Sequence, residues 1–223
     1  MTAADPGVPP AGFHFSPRST AEIELQEAYL VPLADSVRRL LDAVIRTEAG
    51  ESEALAARAG IDAITARLNE NATPGPSGVH YNAEGRSWQW GNAAVGPCNA
   101  VAPPLRLRVD PDGVTRGEAE LGVAYEGPPH LVHGGVLALL VDHLLGMTAS
   151  SQGRATLTGT LTLRYRRGTR LGPVRLEGRV VRTEGVKVFV AAEVFDAEGV
   201  TVQAEGVWIV PAWARPRNPG PAE

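Results

Sequence analysis

No segment limits the possible folds of this chain as tightly as Gly134–Ser150, GGVLALLVDHLLGMTAS. At helical spacing Val136, Leu137, Ala138, Leu139, Leu140, Val141, Leu144, Leu145 and Met147 leave almost no polar face. A helix apolar nearly all round is surrounded by other elements rather than laid on a surface. Its unbroken apolar run, Val136 to Val141, stops at Asp142 and is far too short to cross a bilayer. The flanking segments say what surrounds it. Leu105, Leu107 and Val109 alternate with Arg106, Arg108 and Asp110, the pattern of a half-buried strand. Pro111-Asp112-Gly113 makes a turn, and Val114–Val123 returns as the hairpin partner. Downstream the pattern predicts four strands near 155–166, 172–184, 185–197 and 200–210. Two strands, one buried helix and four antiparallel strands describe an α+β fold, a sheet wrapped around a helix with a polar outer face.

The 25 glycines and 18 prolines among 223 residues argue independently against an all-helical bundle. Upstream, residues 1–18 are Pro/Gly-rich and are expected to form a disordered arm. Residues 19–78 read as an N-terminal helical extension ending in a linker at 71–78. There Ser19 and Glu22 form a capping-box pattern, and Pro32 is expected to interrupt the first helix. Leu33, Val37, Leu40, Leu41, Val44 and Ile45 then make a stripe, and Ser52 is a candidate cap for a further helix carrying Leu55, Ile61, Ile64 and Leu68. Two or three such helices are too few to make their own core and should pack on something. A main domain over 79–213 and a flexible tail over 214–223 complete the expected organisation.

A single cysteine, Cys98, excludes an internal disulfide framework and any multi-cysteine zinc site. No basic-then-apolar leader pattern is present, so the reading is a soluble, cytoplasmic protein without membrane attachment. A net charge of −4 gives no general affinity for nucleic acid. Locally the balance differs: between Arg164 and Lys187 eight cations stand against two anions.

Asp142 is the unusual residue. Its helical neighbours Ala138, Leu139, Leu145 and Gly146 offer no cation, and leaving a carboxylate in such surroundings costs several kcal/mol. A sequence tolerates that where the carboxylate is used. His133-Gly134-Gly135 sits just ahead of the helix, where first-turn N–H groups are unpaired and the helix dipole favours a developing oxyanion. Gly135 and Asp142 are seven residues apart, on nearly one face but about 10 Å apart along the axis. One reacting carbonyl cannot touch both at about 3 Å. Antiparallel helices from two subunits would bring Asp142 of one opposite Gly135 of the other, which calls for a two-fold dimer with two composite sites. His143 points elsewhere around the helix and reads as a packing or interface residue, His130 as a possible flank of the site, and Trp88 and Trp90 as anchors for the N-terminal segment.

Tyr125-Glu126-Gly127-Pro128-Pro129, then His133-Gly134-Gly135, six residues and Asp142, resembles the hotdog-fold acyl-CoA thioesterases. The chain is most similar to the PaaI-type branch and to the animal THEM group of long-chain acyl-CoA thioesterases. Leu157-Thr158-Gly159-Thr160-Leu161 through Tyr165-Arg166-Arg167, and Asn99-Ala100-Val101-Ala102-Pro103-Pro104-Leu105, carry the resemblance on either side, over residues 96–211. It implies a hotdog dimer, or a homotetramer as a dimer of dimers, that hydrolyses acyl-CoA to free acid and coenzyme A. Asp142 would be nucleophile or general base, and the N–H of Gly134 or Gly135 would polarise the carbonyl. His133 would orient the loop, and Thr158 would hold the attacking water or the carboxylate. Where the PaaI branch often has an Asn six residues before its motif histidine, this chain has Gly127.

Thioesters are already activated, so the reading needs no cofactor and no metal. The Arg excess suits the phosphates of coenzyme A, with Arg164, Arg166, Arg167 and Lys187 as candidates. Two other readings share the fold: an acyl-CoA sensor or scaffold that hydrolyses nothing, and an enoyl-CoA hydratase.

Overall fold

The structure, a computed structural model, describes residues 12–151 and 153–215. Its main sheet has six strands: β4 (Arg106–Val109), β5 (Thr115–Leu121), β6 (Leu157–Tyr165), β7 (Gly172–Glu184), β8 (Lys187–Asp196) and β9 (Gly199–Ile209). The order is β4-β5-β7-β8-β9-β6, antiparallel throughout. All six fall where the alternation predicts, within a few residues. The helix α3 (Gly134–Ser150) lies against the concave face. Leu137, Leu140, Val141, Leu144 and Leu145 are almost fully buried there with Val174, Leu176, Val190 and Val202 of the sheet.

The helix is not surrounded, however. Val136, Ala138, Leu139, Asp142, His143, Gly146 and Ser150 are only half-buried, and Met147 is exposed. The sheet covers one side of α3 and leaves a mainly apolar stripe open in the single chain. The expected sheet around a central helix is what the structure has, with the sheet reaching one side of that helix in the single chain. Six strands reach the side of the helix that carries Leu137, Leu140, Val141, Leu144 and Leu145, and composition alone does not say what covers the remainder.

A second layer stands upstream. A small sheet joins β1 (Phe13–Phe15), β2 (Val79–Tyr81) and β3 (Ser87–Trp88), with β1 parallel to β2. Thus Phe13–Phe15, within the stretch read as an arm, form a strand, while residues 1–11 lie outside the described residues. The helix α1 (Thr20–Arg46) begins at the Ser19–Glu22 capping box and runs straight through Pro32. The missing N–H of Pro32 does not end it, because both halves are held elsewhere. Ile23 and Ala34 are buried, Trp90 Nε1 donates to Glu27 at 2.9 Å, and Arg38 Nη2 donates to the Asn99 carbonyl at 2.9 Å. The helix α2 (Glu51–Asn69) starts from Gly50 rather than from Ser52, and buries none of its residues. Of the expected tail, Ala214 closes a short helical turn and Arg215 is its cap, while 216–223 lie outside the described residues. No helix among the described residues is long and apolar enough to cross a membrane.

Candidate active site

The loop between β5 and α3 is folded back on itself. His133 N donates to the Tyr125 carbonyl at 2.9 Å, Gly127 N to Leu131 O at 2.9 Å, and Tyr125 Oη to Ala102 O at 3.1 Å. His130 adopts a left-handed φ of 64°, and its N–H donates to the Glu126 carboxylate at 2.6 Å. The loop closes tightly over His133: a Cβ on Gly127 would lie 2.8 Å from the His133 Cα. That contact gives a physical reason for the departure from the PaaI pattern, since an Asn does not fit here without moving the loop.

His133 caps α3. Its Nδ1 accepts from Gly135 N at 3.0 Å, so the ring proton sits on Nε2. The capping bond uses the Gly135 N–H. The Gly134 N–H has no acceptor among the described residues, and the Gly134 carbonyl accepts from Tyr165 Oη at 2.8 Å. Between the two expected donors, Gly134 is the one left open.

Two turns along the helix, Asp142 Oδ1 accepts from Thr158 Oγ1 at 2.9 Å. This contact depends on an irregularity in β6. The β6–β9 register shifts between Thr158 and Thr160, and a Cβ on Gly159 would stand 3.0 Å from the Val207 carbonyl oxygen. A bulge of this kind re-aims the neighbouring side chain. The sequence predicts an apolar interior for this carboxylate; it stands instead half-buried on the open side of α3. It lines a cleft of about 340 Å³ with Gln89, His143, Met147, Ser150 and Thr158. Burial pushes the imidazole of His143 below its ordinary 6.5, against the pull of the adjacent Asp142. Burial likewise pushes the Cys98 thiol up, and Cys98 lies away from this cleft.

The predicted residues fall into two groups. His133, Gly134 and Gly135 sit by Tyr165 at one end of β6, and Asp142 meets Thr158 at the other. The arginine excess is diluted in space, because neighbouring strands supply acids. Arg164 lies 3.6 Å from Glu205 and Arg170 2.8 Å from Glu198. Arg182 pairs with Glu184 at 2.6 Å and lies over the Phe189 ring. Arg167 grips the buried Asp196 with both Nη atoms, at 2.7 and 2.5 Å, and holds that carboxyl well down, to about 2. Its fork is engaged within the fold, so the structure does not offer it to a phosphate. Arg164 and Arg166 are exposed towards the Tyr165 end, and Lys187 at the opposite end of the sheet. Gln89, Ser150 and Thr156 line the Asp142 cleft without having been singled out in the sequence; the tryptophans flanking Gln89 were the only available signal.

These geometries can be set beside known proteins. A family model described as Thioesterase superfamily matches residues 130–203, which include the helix, Asp142 and Thr158. A crystal structure of protein RHA08564, a thioesterase superfamily protein, superposes with a TM-score of 0.73 at 34% identity, over 87% of this chain and 98% of that one. The chain belongs to the thioesterase superfamily. That similarity reaches beyond the hotdog domain, since 87% of this chain cannot be covered without part of the upstream layer. Acyl-coenzyme A thioesterase THEM4 of Xenopus laevis is 34% identical over 74 residues, a third of this superfamily member and a third of its own length.

Proposed function

We propose that this thioesterase superfamily chain hydrolyses acyl-CoA to a free acid and coenzyme A, as a dimer whose sites each combine Asp142 and Thr158 of one subunit with Gly134 of the other. The observation that carries the reading is the Thr158–Asp142 hydrogen bond of 2.9 Å on the uncovered side of α3. Similarity to an acyl-coenzyme A thioesterase supports the substrate class.

The hydroxyl of Thr158 holds Oδ1 and leaves Oδ2 of Asp142 to face the substrate. In the general-base route a water oxygen bonds to the thioester carbon while its proton passes to Asp142. Charge gathering on the carbonyl oxygen is met by the Gly134 N–H at the positive end of α3. The C–S bond then breaks, and the departing thiolate takes the proton from Asp142. If Asp142 attacks directly, water opens the resulting anhydride and the same products leave.

A second copy supports this reading in two ways. It would cover the open stripe of α3, and β6 is a nine-residue edge strand whose other side pairs with nothing among the described residues. Leu157 and Tyr165 on that strand are 58% and 52% exposed. A long exposed edge is a template for pairing with another chain. Arg166, exposed and without an ion-pair partner among the described residues, and Arg164, 3.6 Å from Glu205, are the cations at the Tyr165 end that would take coenzyme A phosphates.

The purified protein, given a panel of acyl-CoAs with a thiol reagent, is expected to release coenzyme A. Binding without release would instead make it an acyl-CoA sensor. Asp142→Asn is expected to lower kcat by about 100-fold or more, and unchanged turnover would remove Asp142 from the mechanism.

A further inference from the structure

We infer that Gln89, supplied by the upstream layer, reads an oxygen on the acyl group of the substrate. The inference rests on the hydrolase reading above and adds to it a residue and a substrate class: acyl groups bearing a hydroxyl, oxo or carboxyl oxygen.

Gln89 stands between two tryptophans that are fixed from the other side. Trp88 is buried and stacks on His80, with ring centroids 5.5 Å apart. Trp90 donates to Glu27 of α1, and the Arg18 guanidinium lies over both indoles at 5.8 and 5.7 Å. Alternation along an extended segment turns the residue between them the opposite way. Gln89 accordingly reaches the cleft of Asp142, Gly146 and Ser150 on α3.

The polarity of its amide follows from the neighbouring hydrogen bonds. Asn92 Oδ1 accepts two backbone N–H groups, from Ala94 at 2.8 Å and Val95 at 3.1 Å. Asn92 must therefore present Nδ2 as its donor, and it donates to Gln89 Oε1 at 2.9 Å. With Oε1 engaged, the Nε2–H₂ of Gln89 has no partner among the described residues and is the donor left for a ligand in the cleft that Gln89 lines. A ligand that displaces water from this exposed donor regains the lost bond only if it brings an acceptor.

The rest of the cleft suits an oxygen-bearing acyl group better than a bare alkyl chain. Gly146 leaves a hollow midway along the stripe, with the indole Nε1 of Trp208 3.4 Å from where its Cβ would be. At the far end, Ser150 Oγ and Thr156 Oγ1 share a 2.9 Å hydrogen bond. A hydrocarbon laid over these groups would strip their water and return nothing.

The test compares kcat/KM for hexanoyl-CoA with that for 3-hydroxyhexanoyl-, 6-hydroxyhexanoyl- and adipoyl-CoA, using the full chain. In Gln89→Met the ratio of the best oxygenated substrate to hexanoyl-CoA is expected to fall about tenfold, the scale of one lost hydrogen bond, chiefly through KM. Asn92→Asp keeps both backbone acceptances but can no longer donate to Gln89. The amide then turns Nε2 towards the carboxylate and Oε1 towards the cleft, so the ratio is expected to fall for adipoyl-CoA, whose carboxylate only accepts, and to hold for the hydroxyacyl substrates, whose hydroxyl can donate to Oε1. Ratios within about twofold of wild type in both variants, or a KM raised equally for all four substrates, would overturn the inference. Absence of coenzyme A release from every thioester by the wild-type protein would overturn the hydrolase reading as well, and so separates the two failures.

Discussion

The carboxylate of Asp142 and the N–H of Gly134 can be deleted separately with little cost to the fold. Gly134 is the first residue of α3, and His133 before it has φ −60° and ψ 130°. Proline is well tolerated at that helix position, and the preceding conformation is the one proline requires. Gly134→Pro is therefore expected to keep the wild-type melting temperature to within a few degrees while lowering kcat by about 100-fold or more. Steady-state kinetics beside a thermal melt checks both halves. Away from the site, Asp196 is buried and held by Arg167. Its carboxyl is lowered from 3.8 to about 2 by folding, so the stability it contributes is full above 3.8 and is lost as the pH falls towards 2. Asp196→Asn is expected to cost about 2 kcal/mol at neutral pH, the worth of a carboxyl held from 3.8 down to about 2, with the gap from wild type closing in acid. Urea melts at several pH values read this directly. His143 acts earlier in the same direction: with its pKa lowered by folding, the unfolded chain takes up the proton first, and stability declines as the pH falls below 6.5.

Single elements carry consequences that no one side chain has. The bulge in β6 aims Thr158 at Asp142 only while Gly159 stays close to the β9 backbone. Gly159→Ala forces its Cβ to 3.0 Å from the Val207 oxygen, so strand and carbonyl must part. Loss of about 1–3 kcal/mol is expected, together with a fall in kcat larger than that of Thr158→Val, because the whole strand end moves. Melts and kinetics on the two variants decide it. The helix α2 is the opposite case. With none of its 19 residues buried, it is held by its own backbone hydrogen bonds, the exposed Arg58–Asp62 pair and a Thr65 hydroxyl bond to the Ile61 carbonyl, whereas most helical stability in proteins comes from tertiary packing. Its amides are expected to exchange with deuterium orders of magnitude faster than those of Leu140–Leu145, whose protection reports the core.

For the whole molecule, the proposed two-chain site makes a stoichiometric prediction. Mixed dimers of Asp142→Asn with Gly134→Pro contain one ruined site and one intact site. Random reassortment of the two inactive proteins is expected to recover about a quarter of wild-type activity, since half the dimers are mixed and half their sites are whole. No recovery after subunit exchange, or a strictly monomeric active protein by light scattering, would refute the two-chain site.

The element order, the single apolar helix and its acidic interruption were legible in the sequence because each is written in local periodicity. Alternation placed β4 to β9, and the Gly-Gly pair and Asp142 marked the two ends of the proposed site. What covers α3 was not legible. Composition records that a helix is apolar, whereas the curvature of six strands decides how much of its circumference they reach, and so leaves Asp142 on an open side. The fate of the arginines was hidden for a similar reason: charges crowded along one stretch of chain meet Asp196, Glu198 and Glu205 only when β8 and β9 are laid beside it. Pro32 shows the converse, a local rule against helix overridden by contacts on both sides. The approach of Gln89 to Asp142 belongs wholly to the tertiary structure, since residues 53 positions apart share a cleft only after the upstream layer has docked. Sequence fixes what each residue prefers; distance through space decides which preferences meet.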